Sequence, residues 1–240
     1  MLVTAMNPTD PPTPVHFGED SRIADFVLDD HRAMCVASAL LDAGAYLIDT
    51  SLLSEKYYKW KSGVRAPCYC NCRNAISDFG ARRLIADEMS KSVMSAFGDV
   101  DAILGVSTAG IPWASCVADR LELPTAYIRS EKKDHGVGGF VQGHVKSGAR
   151  VVIIDDLVAS GGSLRKAVDA LNDEADVEVA GIVSIINWGF QKMRDNLDGL
   201  NYVALTSYPQ IIMAATARGK VNEAEVSRLL NCYMNPSLGY

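Results

Sequence analysis

The sequence predicts an α/β fold: a central, mainly parallel sheet flanked by helices, with a small accessory lobe. From Asp101 onward, short apolar runs alternate with segments of helical spacing, the pattern of parallel β-α-β units. One run, Val151-Val152-Ile153-Ile154, is too continuously apolar for an edge strand and belongs inside the sheet, buried on both faces. With 240 residues the chain can bury a large core, which favours one domain with a small lobe over two independent domains.

Taken in order, residues 1–20, with Pro8-Thr9-Asp10-Pro11-Pro12-Thr13-Pro14, read as a mobile arm. Residues 21–100 form a second part, in which two long helical patterns between Ile23 and Met94 flank the segment Tyr57 to Arg73. Residues 101–240 form the α/β core. Its strands are expected at Ala102 to Val106, Thr125 to Arg129, Val151 to Ile154, Val179 to Ile186 and Tyr202 to Leu205. The stretch after Arg129 has no apolar period and is expected to be a long exposed loop or a loosely paired hairpin. Helical spacing runs from Ser163 to Leu171, and helices at Pro209 to Ala217 and Glu223 to Cys232 close the chain, which has no internal repeat.

The net charge of −6 argues against a nucleic-acid partner held by bulk electrostatics, so an anion site must be local. No apolar run reaches membrane-span length, and Met1 to Pro8 lack a basic start with a sustained apolar core. A cytoplasmic protein without a membrane partner is expected. Among the six cysteines, Cys35 and Cys116 fall in apolar helical patterns and are expected as buried thiols, and Cys232 sits near the end of the last helix. Cys68, Cys70 and Cys72 alternate, which on a strand puts three sulfurs on one face. The second ligand pair of a zinc site is missing, so core thiols are the expected reading rather than a metal.

Chemistry concentrates after the buried run, in Asp155-Asp156-Leu157-Val158-Ala159-Ser160-Gly161-Gly162-Ser163. Open α/β sheets hold ligands at the carboxyl ends of such strands. The N–H groups of Ser160 to Ser163, with the positive end of the following helix, suit one phosphate monoester. Asp155 and Asp156 repel a second phosphate but accept hydrogen bonds from sugar hydroxyls, so the stretch fits a ribose 5-phosphate. It resembles the phosphoribosyl-diphosphate signature of the type I phosphoribosyltransferases. The resemblance implies that family's fold, with its small hood lobe. It also implies that Asp155 and Asp156 hold the ribose 2- and 3-hydroxyls, and that Leu157, Val158, Ala159, Ser160, Gly161, Gly162 and Ser163 cradle the 5-phosphate.

A second small-residue loop, Gly105-Val106-Ser107-Thr108-Ala109-Gly110-Ile111-Pro112, follows the first core strand and puts Pro112 in the first turn of a helix, where a missing N–H costs nothing. Alone it reads as a routine strand-to-helix turn. One β-α unit before the ribose-phosphate loop, it is similar to the family's diphosphate loop, which implies diphosphate contacts from Thr108, Ala109 and Gly110. Ala109 stands where another form of that loop carries a lysine, so cations must come from elsewhere. The segment Arg129-Ser130-Glu131-Lys132-Lys133-Asp134-His135-Gly136-Val137-Gly138-Gly139 holds them. A charge run is usually a solvated face, but glycines beside a Lys-His pair suit a lid that neutralises a leaving diphosphate and excludes water. Its Lys-Asp-His-Gly core resembles the mobile loop of the orotate-specific members of the family. The resemblance implies diphosphate contacts from Arg129, Lys133 and His135, and catalytic roles for Lys133, His135, Asp155 and Asp156. Ser130 stands where many members have a further lysine. In those members the loop reaches into the neighbouring subunit's site, which implies a homodimer with shared active sites.

The segment Trp60-Lys61-Ser62-Gly63-Val64-Arg65-Ala66-Pro67-Cys68-Tyr69-Cys70-Asn71-Cys72-Arg73 is similar to the base-binding segment of the same members. Orotate is a flat anion that needs a stacking face and polar or cationic donors. The resemblance implies orotate contacts from Lys61, Tyr69, Ala159 and Ser160; otherwise Tyr69 reads as a core aromatic and Lys61 and Arg65 as solvated cations. Two departures stand out. Ala159 occupies a signature position often held by Thr or Ser, and Asn187-Trp188-Gly189-Phe190 stands where some members have an Asp-Arg pair. The implied reaction transfers ribose 5-phosphate from 5-phosphoribosyl 1-diphosphate to orotate, giving orotidine 5-phosphate and diphosphate in de novo pyrimidine (UMP) synthesis. Mg²⁺ is implied as a cofactor held mainly through substrate oxygens, with no dedicated protein ligand set. Two other readings share Asp155 to Ser163: transfer to another nucleobase, and a non-catalytic phosphoribosyl-diphosphate sensor that binds nucleic acid. The first should lack the Lys-Asp-His-Gly segment, and the second needs a basic face.

Overall fold

The computed structural model describes residues 29–49, 57–60, 65–129 and 139–234. Helix α1 (Asp30–Asp42) starts at Asp29, whose carboxylate accepts from the Arg32 amide at 3.1 Å, a cap worth about 1 kcal/mol. Its Ala33, Val36, Ala37 and Leu40 recur at helical spacing and are fully buried. Four short strands follow: β1 (Tyr46–Ile48), β2 (Tyr58–Lys59), β3 (Arg65–Ala66) and β4 (Cys68–Cys70). They pair as two antiparallel ribbons, β1 with β4 and β2 with β3. Helix α2 (Arg73–Ser77) leads into α3 (Phe79–Phe97), capped by the Asp78 carboxylate, which accepts from the Ala81 amide at 2.8 Å.

The α/β core then runs β5 (Ala102–Val106), α4 (Gly110–Leu121), β6 (Thr125–Ile128), β7 (Val141–Gln142), β8 (Ala149–Val158), α5 (Gly162–Glu174), β9 (Val177–Asn187), α6 (Gln191–Asn196), β10 (Tyr202–Ser207), α7 (Tyr208–Ala217) and α8 (Glu223–Met234). Strand order in the six-stranded sheet is β10-β9-β8-β5-β6-β7, parallel except for β7 against β6. β8 lies between β5 and β9, as its continuous apolar run predicts. Val152 and Ile154 face the layer that contains Val36, Leu40, Ile85 and Met89. Val151 and Ile153 face Leu164, Val168 and Leu171 of α5. All four β8 residues are fully buried, and each such side chain stabilises the fold by about 1.5–3 kcal/mol.

Three sequence expectations differ from the structure. First, β8 does not stop at Ile154 but continues through both acids to Val158, because β9 also runs on and pairs with it, Asp155 opposite Ser184 and Leu157 opposite Ile186. A ladder partner from a distant strand leaves no local apolar signal. Second, Cys72 leaves the strand direction: with φ −56° it caps α2, so only Cys68 and Cys70 lie on β4. Third, Cys35 and Cys116 are half-buried, whereas Cys68 and Cys72 are buried. Cys35 sits one helical turn from His31, 3.9 Å from its Nε2, at the rim of the apolar stripe of α1.

Among the described residues, the expected loose hairpin pairs Tyr127 with Gln142 and Ile128 with Val141. The proposed arm at residues 1–20 lies outside the described residues. Among the described residues no helix is long and apolar enough to cross a membrane.

Candidate active site

Beyond β8 the chain turns through Ala159–Gly161 into α5. Gly161 takes a left-handed φ of +73° as the residue that opens the helix, a conformation that costs a side-chain-bearing residue far more. The turn is held from one side: the Asn196 side-chain amide donates to the Ser160 carbonyl at 2.7 Å. A Cβ on Gly161 would lie 3.2 Å from Leu197 Cγ. The first N–H groups of α5 have no intrahelical acceptor and carry the positive end of its dipole, an arrangement able to take an anion, with Ser163 exposed.

Asp155 and Asp156 are half-buried at the end of β8. The Asp156 amide donates to Asp155 Oδ1 at 2.9 Å. Burial, and then the neighbouring Asp156 charge, pushes the Asp155 carboxyl well above the usual carboxylate range. Burial also raises Asp156, opposed by a hydrogen bond with the Asp155 side chain and by the charge of Arg73. Two adjacent carboxylates that are unfavourable as bare anions are set up to accept hydroxyl donors or to share a cation.

The second loop approaches this pair directly. The Ser107 amide donates to the Ile128 carbonyl at 2.8 Å, which sets the loop beside the end of β6 and Arg129. Ala109 caps α4, Thr108 is exposed, and Gly110 is buried as the first residue of the helix. A Cβ on Gly110 would lie 2.5 Å from the Ile154 carbonyl oxygen and 3.3 Å from Asp155 Cα. Only glycine permits this contact.

A cavity of about 490 Å³ opens at the same end of the sheet. Asp155, the strand end and turn from Leu157 to Gly161, Ser163 and Tyr69 line it together. Asp156, Gly162, Thr108, Ala109, Gly110 and Arg129 do not line it; they belong to the elements that carry or adjoin its wall. Lys61, Ser130, Lys132, Lys133 and His135 lie outside the described residues.

Trp60, Cys70, Leu164 and Trp188 complete the wall and were not among the predicted contacts. The Trp60 and Trp188 ring centroids are 4.1 Å apart, and the Trp60 indole N–H donates to the Cys68 carbonyl at 2.9 Å. Trp188 is buried against Tyr46 and Tyr208, with centroids 6.0 and 5.1 Å away. A usable signal existed for Trp188. It follows the carboxyl end of β9, next to β8, the edge of a parallel sheet at which ligands bind.

A parallel sheet with an acid pair and a glycine turn at the end of an inner strand, and a second loop pressed against them, defines the phosphoribosyltransferase class. A sequence profile of the phosphoribosyl transferase domain matches residues 75–203. The orotate phosphoribosyltransferase of Halalkalibacterium halodurans is 38% identical over 205 residues, covering 84% of this chain and 95% of that protein. That of Listeria monocytogenes is 37% identical over 203 residues, covering 84% and 95%. Among solved structures, orotate phosphoribosyltransferase from Aeropyrum pernix aligns with a TM-score of 0.66 at 26% identity, covering 75% of this chain and 98% of that one. Leishmania donovani UMP synthase aligns with a TM-score of 0.70 at 25% identity over 86% of this chain, which spans 43% of that protein. The chain belongs to the phosphoribosyltransferase family and, within it, to the orotate phosphoribosyltransferases.

Proposed function

We propose that this protein transfers ribose 5-phosphate from 5-phosphoribosyl 1-diphosphate to orotate, forming orotidine 5-phosphate and diphosphate in de novo UMP synthesis. The observation that carries this reading is a cavity lined both by the β8 acid end with its following turn and by the aromatic residues Tyr69, Trp60 and Trp188. The acid end and turn suit a phosphorylated sugar, the aromatic residues a flat aromatic base.

In this reading the turn at Ala159–Ser163 holds the 5-phosphate, and Asp155 and Asp156 accept hydrogen bonds from the ribose 2- and 3-hydroxyls. As the bond from the sugar to diphosphate breaks, the ring gains positive charge, and the carboxylates stabilise it more than they stabilise the substrate. Tyr69, Ala159, Ser160 and Lys61 hold orotate so that its ring nitrogen faces the sugar carbon. Thr108, Ala109 and Gly110 hold the departing diphosphate, while Arg129, Lys133 and His135 neutralise it. The adjacent carboxylates, raised by burial, fit Mg²⁺, a cation that keeps several waters and meets protein through one or two carboxylates. When bound, Mg²⁺ supplies positive charge to the diphosphate oxygens. We further propose a homodimer in which the segment after Arg129 serves the partner's site.

The test is orotate consumption by the full chain with 5-phosphoribosyl 1-diphosphate and Mg²⁺, alongside adenine, hypoxanthine and uracil. Consumption of orotate with stoichiometric diphosphate release is expected. Inertness toward orotate, or equal use of another base, would overturn the assignment.

A further inference from the structure

We propose that Cys70 and Cys72 are an oxidisable thiol pair at the base end of the cavity, which closes to a disulfide on reaction with a hydroperoxide. Their sulfurs are 3.4 Å apart. Cys70 is half-buried and lines the cavity, so an oxidant that enters with solvent meets it first. Cys72 is buried behind it, and its thiol donates to the Asp156 carbonyl at 3.7 Å. Two residues apart, their Cα atoms can separate by at most about 7 Å, the upper edge of the range that a disulfide spans. Cys68 is engaged elsewhere, 3.8 Å from the Tyr208 hydroxyl.

In the first step the Cys70 thiolate sulfur attacks one peroxide oxygen. The O–O bond breaks, the other oxygen leaves and takes up a proton, and Cys70 becomes a sulfenic acid. Next the Cys72 sulfur attacks the Cys70 sulfur, forming the S–S bond and expelling the sulfenic oxygen as water. Two thiols and one hydrogen peroxide thus give one disulfide and two waters. The order follows from the placement: Cys70 lines the cavity through which the oxidant enters, and Cys72 lies buried behind it.

The link would act on the site. The sulfurs must approach by about 1.4 Å from their present 3.4 Å. They lie within a segment with Tyr69, a cavity residue, at one end and Arg73, whose charge acts on Asp156, at the other. A shift of about 1 Å in a positioned site lowers turnover up to roughly a hundredfold. The effect on activity rests on the cavity being the orotate site, whereas formation of the link does not.

The experiment starts with fully reduced full-length protein, whose orotate assay decides the functional reading by itself. Hydrogen peroxide is then titrated in, followed by thiol blocking, intact mass and peptide mapping. The expected result is loss of two hydrogens with a Cys70–Cys72 link, kcat/KM lowered roughly tenfold or more, and recovery with dithiothreitol. Cys72→Ser should instead leave Cys70 as a sulfenic acid that dimedone traps, and a Cys35→Ser, Cys116→Ser double variant should respond as the parent does. Thiols that stay unlinked while other cysteines oxidise, or a link that leaves turnover unchanged, would overturn the proposal.

Discussion

Gly110 is packed so tightly on Ile154 that a Cβ there would lie 2.5 Å from the Ile154 carbonyl oxygen. The start of α4 thereby docks on β8 one residue before the acid pair. Gly105 makes the same approach possible from the strand side, since its Cβ would lie 2.8 Å from Ile111 Cα. The two loops of the site are thus one packed unit.

Gly110→Ala should therefore act on both loops at once. The obstructing atoms are backbone and cannot rotate away, so the added methyl group is expected to cost about 1–3 kcal/mol. Separation of the loops should lower kcat/KM for 5-phosphoribosyl 1-diphosphate roughly tenfold or more. Thermal melting and steady-state kinetics check the two effects, and a variant unchanged in both would show that the loops move independently.

Asp155→Asn should trade activity for stability. The folded carboxyl titrates above its unfolded value, chiefly through burial and then through the Asp156 charge. Between those two values the folded state holds the extra proton, so stability falls as pH rises through that window and is level above it. Each unit of elevation costs about 1.4 kcal/mol on the alkaline side. Asparagine cannot ionise, yet its side-chain oxygen can still accept from the Asp156 amide. Urea unfolding should find the variant more stable than the parent near pH 8, with the advantage shrinking toward about pH 4, while turnover falls sharply. A variant less stable at the higher pH would mean that the carboxylate is needed structurally.

Much of this site was legible because strand ends announce themselves. Val151 to Ile154 marked an inner strand, and Asp155 to Ser163 supplied a turn whose residue types have a phosphate and sugar chemistry. The continuation of β8 to Val158 was not legible, since it depends on β9 lying alongside. Nor was the aromatic wall, because Trp60 and Trp188 are 128 positions apart in sequence and meet only through the fold, with centroids 4.1 Å apart. Tyr46, from the part of the chain that offered least to a sequence reading, backs that wall.

Trp60→Phe tests the wall with little change of shape. The variant keeps an aromatic face but loses the indole N–H that donates to the Cys68 carbonyl at 2.9 Å. A net hydrogen bond is worth about 1 kcal/mol of fold stability, and a ring no longer fixed by it should hold the base less well, raising KM for orotate several-fold. kcat and KM for 5-phosphoribosyl 1-diphosphate should stay close to the parent, because in the proposed reading Trp60 bounds the base end of the cavity and not the breaking bond. A fall in kcat at constant KM would move Trp60 from base binding to the chemical step.

The last prediction concerns the proposed sharing of sites between subunits. If the segment that follows Arg129 closes over the partner's cavity, Lys133→Ala protein and protein carrying Asp155→Asn with Asp156→Asn should each be nearly inactive, yet regain activity when mixed. A mixed dimer has one site with an intact acid pair from one chain and an intact lysine from the other, while its second site carries both defects. Random exchange of equal amounts makes about half of the dimers mixed, so roughly a quarter of the parent activity should return under that symmetry. Specific activity after co-refolding at several mixing ratios gives the measurement, with native mass spectrometry to count mixed dimers. Mixed dimers no more active than the two starting proteins would mean that each lysine serves its own chain, and an absence of dimers would remove the shared-site reading altogether.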